Sequence, residues 1–331
     1  MGKGWWFHAR EVKSVLPSLM SLKIPASDDI SLDAALNIYE ALRPIMPKAE
    51  AGAQRVADRL TDIVPQFDAL ILDGFGVINM GACLVDGIHD FLTHAADHGV
   101  TIIVLTNGAT LETEMTAQKY ANWNLPIPSH HVVSSRNAFI RDFLEPGGHG
   151  KVGILGKQAS APAFEDVLSL ADYDGDDAFW ARADHFAFLS AVDWQEDDQS
   201  RLEDALQKRP RPVHIANPDV TSPQPTFYAP EPGYWAARLM QTCDVPVYWY
   251  GKPHQPAYKL ALDTLRTVTG RDIPRHRIGM VGDSLHTDIL GASAAGIQSI
   301  LLTGYGLFHE GGASQAIENS GICPDWIVDQ L

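Results

Sequence analysis

Short apolar runs that alternate with helical segments are the feature that most constrains the fold of this chain. "DALILD" at 68–73 precedes a helical stretch at 86–99, and "VTIIVLTNG" at 100–108 precedes another. Strands that alternate with helices form βαβ units and therefore a parallel sheet. In such a sheet, ligands bind outside the carboxyl ends of the strands. The sequence thus predicts an α/β fold with a Rossmann-like, parallel-sheet core and a functional site at one edge of it.

A second, smaller α/β alternation interrupts the first. It begins after "EPGGHG", which is typical of a domain boundary, and it contains the apolar runs "KVGILG", "HFAFLS" and "PVHIANPD". We therefore predict a cap domain over 148–229, inserted between two parts of a core domain over 61–147 and 230–331. Apolar residues at helical spacing follow Ser31, and we predict a helical N-terminal extension over 1–60 that packs on the core domain.

Charge and cysteine content argue against several classes of function. The formal net charge is −16, which disfavours nucleic acid and anionic membranes as partners. The three cysteines lie far apart without a CxxC pair, so neither a zinc site nor a disulfide framework is indicated. We expect a cytoplasmic protein, because the N-terminus lacks the apolar core of a signal peptide and no apolar run reaches about 18 residues. A homo-oligomer is compatible with the sequence.

Polar residues end or follow the long apolar runs. In a parallel sheet the carboxyl ends of the strands share one edge, so these side chains are expected to meet. They are Asp73, Thr106, Asn107, Lys252, Asp283 and Asp288. Taken singly, each has an ordinary interpretation as a cap, a turn or a surface residue. Their shared placement indicates a site.

The chemistry of this set favours phosphate. Carboxylates as close as Asp73, Asp283 and Asp288 repel one another unless a cation intervenes, and oxygen donors of this kind suit Mg²⁺. Lys252 and Thr106, with backbone N–H groups at the turns, make a pocket for a phosphoryl group. A carboxylate that faces such a group can attack it and form an aspartyl phosphate.

Four segments resemble the motifs of the haloacid dehalogenase (HAD) superfamily, and most closely those of subclass IIA, which contains nitrophenyl, pyridoxal, nucleotide and sugar phosphatases. The segments are "DGFGVINMG", "VLTNGAT", "YGKPHQPAY" and "VGDSLHTDILGASAAGI". The similarity extends over about residues 66–331. In this subclass a cap is inserted between the second and third motifs, in agreement with the predicted cap domain.

The resemblance implies a role for each residue. Asp73 would be the nucleophile, and Thr106 and Lys252 would bind the phosphoryl group. The Mg²⁺ ligands would be Asp73, the main-chain carbonyl of Phe75, Asp283 and Asp288, the last directly or through water. The residues expected near the substrate are Asn107, Gly108, Asn217, Asp219 and His286. For Asn217 and Asp219, a turn is an equally good interpretation.

The chain departs from the family at Phe75. Phosphatases of the family carry a second aspartate here, two residues after the nucleophile, which protonates the leaving group and then activates water. Loss of a positioned acid/base costs about 10²–10⁴-fold in rate. Either another group such as His286 substitutes, or the enzyme is slow and prefers leaving groups that need no proton, or the protein binds without turnover.

We therefore predict a Mg²⁺-dependent phosphatase, a hydrolase that acts through an aspartyl phosphate on a small phosphorylated metabolite. Sugar phosphates, nucleotides and aryl phosphates all fit the sequence. The alternative is a non-catalytic phosphometabolite-binding protein of the same fold. Phe75 favours the alternative, and the rest of the set favours the enzyme.

Overall fold

Two parallel sheets organise the computed structural model, which describes residues 16–48, 50–173, 177–224 and 226–331. The larger sheet has seven strands, all paired in parallel. In spatial order they are β1 (Arg55–Arg59), β16 (Trp326–Gln330), β15 (Gln298–Leu302), β14 (Ile278–Gly282), β2 (Ala69–Leu72), β5 (Thr101–Thr106) and β6 (Val132–Ser134). The predicted α/β class with a parallel-sheet core is confirmed.

The smaller sheet has five parallel strands, and two short antiparallel hairpins complete the strands of the described residues. In spatial order the sheet contains β13 (Val247–Trp249), β10 (Val213–Ile215), β9 (His185–Phe188), β7 (Val152–Leu155) and β8 (Val167–Ser169). The hairpins are β3 (Asn79–Met80) with β4 (Cys83–Leu84), and β11 (Thr221–Pro223) with β12 (Tyr228–Pro230).

Helices cover the faces of both sheets. In chain order, those of the described residues are α1 (Pro17–Ser21), α2 (Leu32–Leu42), α3 (Leu60–Ile63), α4 (Ile88–Asp97), α5 (Thr113–Asn122), α6 (Ser135–Phe139), α7 (Ala178–Arg182), α8 (Glu196–Lys208), α9 (Pro232–Thr242), α10 (Gln255–Thr269), α11 (Leu290–Ala294) and α12 (Ala313–Ser320). A wide helical turn at Leu285–Ile289 leads into α11. No helix in this part of the chain combines the length and apolarity that crossing a membrane requires.

Strand β2 illustrates why the apolar runs form the centre of the core. Its four residues are all buried. Leu70 and Leu72 pack into one hydrophobic cluster, and Ala69 and Ile71 pack into another, because successive side chains of a strand point to opposite faces. A continuous apolar run is therefore what a sheet covered on both faces requires.

The smaller sheet extends past residue 229, the predicted end of the cap. Strand β13 pairs with β10, with Val247 opposite Val213 and Trp249 opposite Ile215. The apolar run before Lys252 therefore belongs to the smaller sheet, although we predicted that it would lie in the core sheet. Apolar composition does not specify which sheet a strand joins, because either sheet can bury it.

The N-terminal extension bridges both sheets. Residues 1–15 of the predicted helical segment 1–60 lie outside the described residues, and 55–59 form strand β1 instead of helix. Helix α2 begins at Ser31, whose hydroxyl accepts a hydrogen bond from Ala34 N at 3.2 Å, as a helix cap should. One face of α2 packs with the helices of the smaller sheet, while Leu32 and Leu36 contact the cluster around α11. The extension thus packs on both units, and not on the core alone.

Candidate active site

Three buried carboxylates meet at the carboxyl edge of the larger sheet. Asp73 follows β2, Asp283 follows β14, and Asp288 lies in the turn before α11. Their nearest oxygens all lie within 4.8 Å of one another. The first two come together because β2 and β14 are neighbours, and Asp73 N donates a hydrogen bond to Val281 O at 2.9 Å. The structure thus brings together the three predicted carboxylate ligands.

Lys252 is the cation of this cluster. Its ammonium lies 2.7 Å from Asp73 Oδ1 and 2.7 Å from Asp288 Oδ1, and the side chain is 1% exposed. Burial alone would lower the pKa of Lys252, but the charges of Asp288 and Asp73 outweigh it and hold the pKa above its usual range. Lys252 is therefore charged and fixed next to the predicted nucleophile.

One ammonium does not balance three carboxylates. Burial raises the pKa of Asp73 to about 8; the charge of Lys252 opposes this rise, and Asp288 adds to it. Burial and the charges of Asp288 and Asp73 likewise raise the pKa of Asp283 well above its usual range. A buried set of oxygen donors with excess negative charge fits a hard divalent cation such as Mg²⁺.

Two glycines and a backbone N–H hold the carboxylate of Asp283. Leu307 N donates to Asp283 Oδ2 at 2.7 Å. Gly76 (φ +83) and Gly306 (φ +64) lie against the same oxygen, and a Cβ at either position would collide with it. The second glycine of "DGFG" is thus required both by its backbone conformation and by the close approach of Asp283. Sequence analysis missed Gly306 and Leu307, since neither belongs to a motif.

Phe75 is half-buried and belongs to none of the hydrophobic clusters of the described residues. The turn that contains it is closed by hydrogen bonds from Gly76 N to Asn79 O and from Ile78 N and Asn79 N to Gly74 O. None of these bonds uses the Phe75 carbonyl, the predicted metal ligand. The Phe75 side chain is therefore not part of the hydrophobic core, and it has no group that could donate a proton.

The loop after β5 links the core to the cap. Thr106 Oγ1 accepts a hydrogen bond from Gly108 N at 3.1 Å. The Asn107 amide donates to Asp219 Oδ1 at 2.8 Å and to Lys252 O at 3.1 Å, while its oxygen accepts from Lys252 N at 2.7 Å. Asn107 therefore joins the second motif, the third motif and a segment of the smaller unit.

Asn217 and Asp219 differ in what they do. Asn217 Oδ1 accepts from Asp219 N at 2.9 Å, and its amide donates to Glu231 Oε2 at 3.1 Å. Asn217 thus fits the turn interpretation. The carboxylate of Asp219 instead contacts Asn107, and its charge contributes to the raised pKa of Asp73. The structure places Asp219 next to the carboxylate cluster.

His286 contacts the N-terminal extension. Its Nε2 lies 2.6 Å from Glu40 Oε1, and its ring stacks on Tyr39 with centroids 4.9 Å apart. Burial lowers the pKa of His286, and Glu40 partly offsets the effect. The pairing occupies Nε2, so His286 is a weaker acid/base candidate than the sequence suggested. Tyr39 had no sequence signal, yet its hydroxyl accepts a hydrogen bond from Val220 N at 2.9 Å, next to Asp219.

Two family models match the parts of the chain that contain the carboxylate cluster. Residues 70–169 match a family model described as haloacid dehalogenase-like hydrolase, and 249–331 match a HAD-hydrolase-like model. The first match contains Asp73 and Thr106, and the second contains Lys252, Asp283 and Asp288. Neither model includes the N-terminal extension or residues 170–248.

The similar proteins are described as phosphatases. The chain is 23% identical over 246 residues to an acid sugar phosphatase of Staphylococcus haemolyticus, covering 74% of this chain and 88% of the relative. It is 23% identical over 235 residues to a dihydroxyacetone phosphatase of Corynebacterium glutamicum, covering 70% and 79%. The structure of a possible sugar phosphatase from Cytophaga hutchinsonii aligns with a TM-score of 0.71 at 25% identity, covering 83% of this chain and 98% of that one.

Proposed function

This chain belongs to the haloacid dehalogenase superfamily of hydrolases, in subclass IIA, and we propose that it is a Mg²⁺-dependent phosphatase that forms an aspartyl phosphate on Asp73. The observation that carries the proposal is the position of Asp73 beside the Lys252 ammonium and two further carboxylates. A nucleophile, an ammonium and a set of oxygen donors for a divalent cation are the parts that phosphoryl transfer to a carboxylate needs.

The contacts of Asp73 leave one oxygen available for attack. Gly74 N donates to Asp73 Oδ1 at 2.6 Å, and Lys252 contacts the same atom. Among the described residues, no hydrogen bond or ion pair engages Oδ2, and we assign the attack to this oxygen. It bonds to phosphorus while the bond from phosphorus to the leaving oxygen breaks. Water then attacks phosphorus, which releases inorganic phosphate and restores the carboxylate.

Several groups would neutralise the charge on the phosphoryl oxygens. Mg²⁺ held by Asp73, the Phe75 carbonyl, Asp283 and Asp288 would neutralise and orient the phosphoryl group. Lys252 supplies an ammonium and Thr106 a hydroxyl. The Thr106 hydroxyl lies beside the turn after Asp73, since a Cβ on Gly74 would be 3.5 Å from its Oγ1. Fixed donors of this kind stabilise the transition state because they need no reorganisation.

The smaller unit acts as the cap in this proposal. It is inserted between β6 and α10, and it reaches the carboxyl edge of the larger sheet through the Asn107–Asp219 hydrogen bond. A cap in this place excludes water and selects the substrate. The names of the two relatives favour a phosphorylated sugar or a related small ketose as the substrate class.

A phosphate-release screen with and without Mg²⁺ tests this function. We expect release from sugar and triose phosphates in Mg²⁺ and none in EDTA. Asp283→Asn should weaken Mg²⁺ activation by at least about 100-fold, because loss of a group that only supports a metal ligand already costs about 10–100-fold. The control is Asp272→Asn, the same change at an exposed aspartate. Unchanged Mg²⁺ activation in Asp283→Asn would remove Asp283 from the metal site.

Phe75→Asp tests whether the aromatic residue limits turnover. If no other acid serves the site, the new carboxyl group protonates the leaving oxygen and alkyl phosphate hydrolysis rises by about tenfold, below the full range for a positioned acid. Hydrolysis of 4-nitrophenyl phosphate should change less, because nitrophenolate leaves without a proton. Both substrates are to be assayed at saturating Mg²⁺. A slower reaction on the alkyl phosphate would mean that another acid already serves this site.

A non-catalytic phosphometabolite-binding protein is the second candidate, and Phe75 is the observation that favours it. The same screen separates the two candidates. Binding of a phosphorylated sugar by calorimetry, without phosphate release and without phosphorylation of Asp73, would support the binding protein.

A further inference from the structure

The proposed reaction requires a proton at the leaving oxygen, and the usual donor is absent at Phe75. We propose that Asp219, which the cap contributes, is the general acid and base of this site. The proposal rests on the phosphatase function given above and names the residue that completes its chemistry.

A short chain of contacts connects Asp219 to the nucleophile. The Asn107 amide donates to Asp219 Oδ1 at 2.8 Å, and Asn107 Oδ1 accepts from Lys252 N at 2.7 Å. The ammonium of Lys252 then lies 2.7 Å from Asp73 Oδ1. Asn107 and Lys252 are each 1% exposed, so these contacts form a built site and not a surface encounter. Asp219 is the member of this series of contacts that comes from the cap.

One oxygen of Asp219 is available to a substrate. Asn107 engages Oδ1, and within the described ranges no hydrogen bond or ion pair engages Oδ2. The residue is partly exposed, whereas Asp73, Lys252 and Asp288 are buried. Oδ2 can therefore contact a leaving group that enters between cap and core.

The backbone around Asp219 is fixed. Gly233 N donates to Asp219 O at 2.8 Å, and Asn217 Oδ1 accepts from Asp219 N at 2.9 Å. On its other side, the neighbouring residue Val220 donates its N–H to the Tyr39 hydroxyl. A Cβ at Gly233 would collide with the carbonyl oxygen of Pro218, so the helix can approach this closely only with glycine there. Such support is what holds a catalytic group in place.

The charges around Asp219 suit both halves of the reaction. Burial raises the pKa of Asp219 to about 7; Lys252 and the Asn107 hydrogen bond oppose the rise, and the charges of Glu231 and Asp288 add to it. With a pKa of about 7, Asp219 is protonated in a large fraction of molecules at neutral pH and can donate a proton. In the remaining molecules it is a carboxylate that can accept one. General acid–base catalysis is most efficient when the pKa lies near the working pH.

The neighbouring candidates are engaged elsewhere. Glu231 accepts hydrogen bonds on both oxygens, from Ser222 at 2.7 Å and from Asn217 at 3.1 Å. His286 Nε2 is paired with Glu40, and its Nδ1, which has no hydrogen-bond partner among the described residues, is buried and not open to an entering substrate. Of these three residues, Asp219 is the one that both contacts the site and keeps an oxygen free for a substrate.

The two steps balance with Asp219 as the only proton carrier. As Asp73 Oδ2 bonds to phosphorus, the bond from phosphorus to the leaving oxygen breaks, and that oxygen takes the proton from Asp219 Oδ2. Asp219, now a carboxylate, removes a proton from water. The oxygen of that water bonds to phosphorus, and the bond from phosphorus to Asp73 breaks. Inorganic phosphate leaves, and both aspartates return to their starting states.

Asp219→Asn tests the proposal, because an asparagine oxygen still accepts from Asn107 while the proton is lost. We expect kcat/KM for dihydroxyacetone phosphate to fall by about 100-fold. The burst of nitrophenol from 4-nitrophenyl phosphate should keep its rate, since this leaving group needs no proton. The steady state after the burst should slow, because water attack lacks a base. Glu231→Gln, at the adjacent carboxyl group, should leave the ratio of the two substrates unchanged.

Further outcomes separate a catalytic from a structural role. Asp219→Glu keeps an acid on a longer arm and should recover at least about tenfold over Asp219→Asn on the ketose phosphate. Equal loss on both substrates, or no recovery with glutamate, would overturn the role of Asp219 while the function stands. If the wild-type protein releases phosphate from neither substrate and forms no phosphoenzyme, the proposed function fails and this inference fails with it.

Discussion

Asp73→Asn is expected to reduce phosphate release to background, a loss of about 10⁴–10⁶-fold, as for other nucleophiles that act with a fixed partner set. The amide keeps the size of the side chain and its contact with Gly74, but it lacks the anion that attacks phosphorus. The burst of nitrophenol and the phosphorylated enzyme should both disappear. Rapid-quench measurement of bound phosphate at saturating Mg²⁺ detects this directly.

A matched control for Asp73→Asn is available on the surface. Asp263→Asn makes the same change at an aspartate of α10 whose side chain is 43% exposed and pairs with Lys259. It should keep full activity, because surface ion pairs contribute little. In EDTA, Asp73→Asn should also melt no lower than the wild type, since it removes one of three crowded carboxylates. Retention of a tenth of the wild-type turnover would exclude Asp73 as the nucleophile.

Lys252→Met should lower kcat/KM by about 1,000-fold, the upper end for loss of one fixed donor to a developing charge. The methionine fills a similar volume but leaves Asp73 and Asp288 without their ammonium. Removal of one partner from a buried ion pair typically costs about 3–5 kcal/mol of unfolding free energy. Urea unfolding in EDTA measures this loss, and Mg²⁺ should restore part of it by neutralising the same carboxylates.

Lys259→Met is the control for Lys252→Met. Lys259 lies seven positions along the chain, with its side chain 59% exposed. Its replacement should change neither activity nor urea stability measurably. A loss of activity below tenfold in Lys252→Met, with unchanged stability, would mean that Lys252 does not neutralise the phosphoryl group or the carboxylates.

The strand-end residues were accessible from sequence for a physical reason. Asp73 and Asp283 directly follow strands of the larger sheet, and Thr106 is the last residue of another. Parallel pairing brings the ends of those strands to one edge, so order along the chain is enough to place these residues together. The fold class follows from the same argument, because helices must connect parallel strands.

Lys252 follows a strand of the smaller sheet and not, as predicted, a strand of the core sheet. Its strand, β13, pairs in the smaller sheet, and Lys252 lies in the connection from β13 to α10. The motif identified the residue correctly as a neighbour of Asp73, while the assumed core strand was wrong. The spacing of a motif indicates the chemistry of residues that are close in sequence. It does not indicate which sheet a strand joins, because that depends on which sheet has apolar surface for the strand to cover.

The sequence by itself determined the α/β class, the carboxyl edge as the place of the site, and the residues that follow its strands. Only the tertiary structure decided that Asn107 bonds Asp219 from 112 positions away and that His286 pairs with Glu40 across 246. Periodicity and turn chemistry act over a few residues. Contacts between distant segments depend on how the cap and the extension fold back over the core, and no local pattern encodes that path.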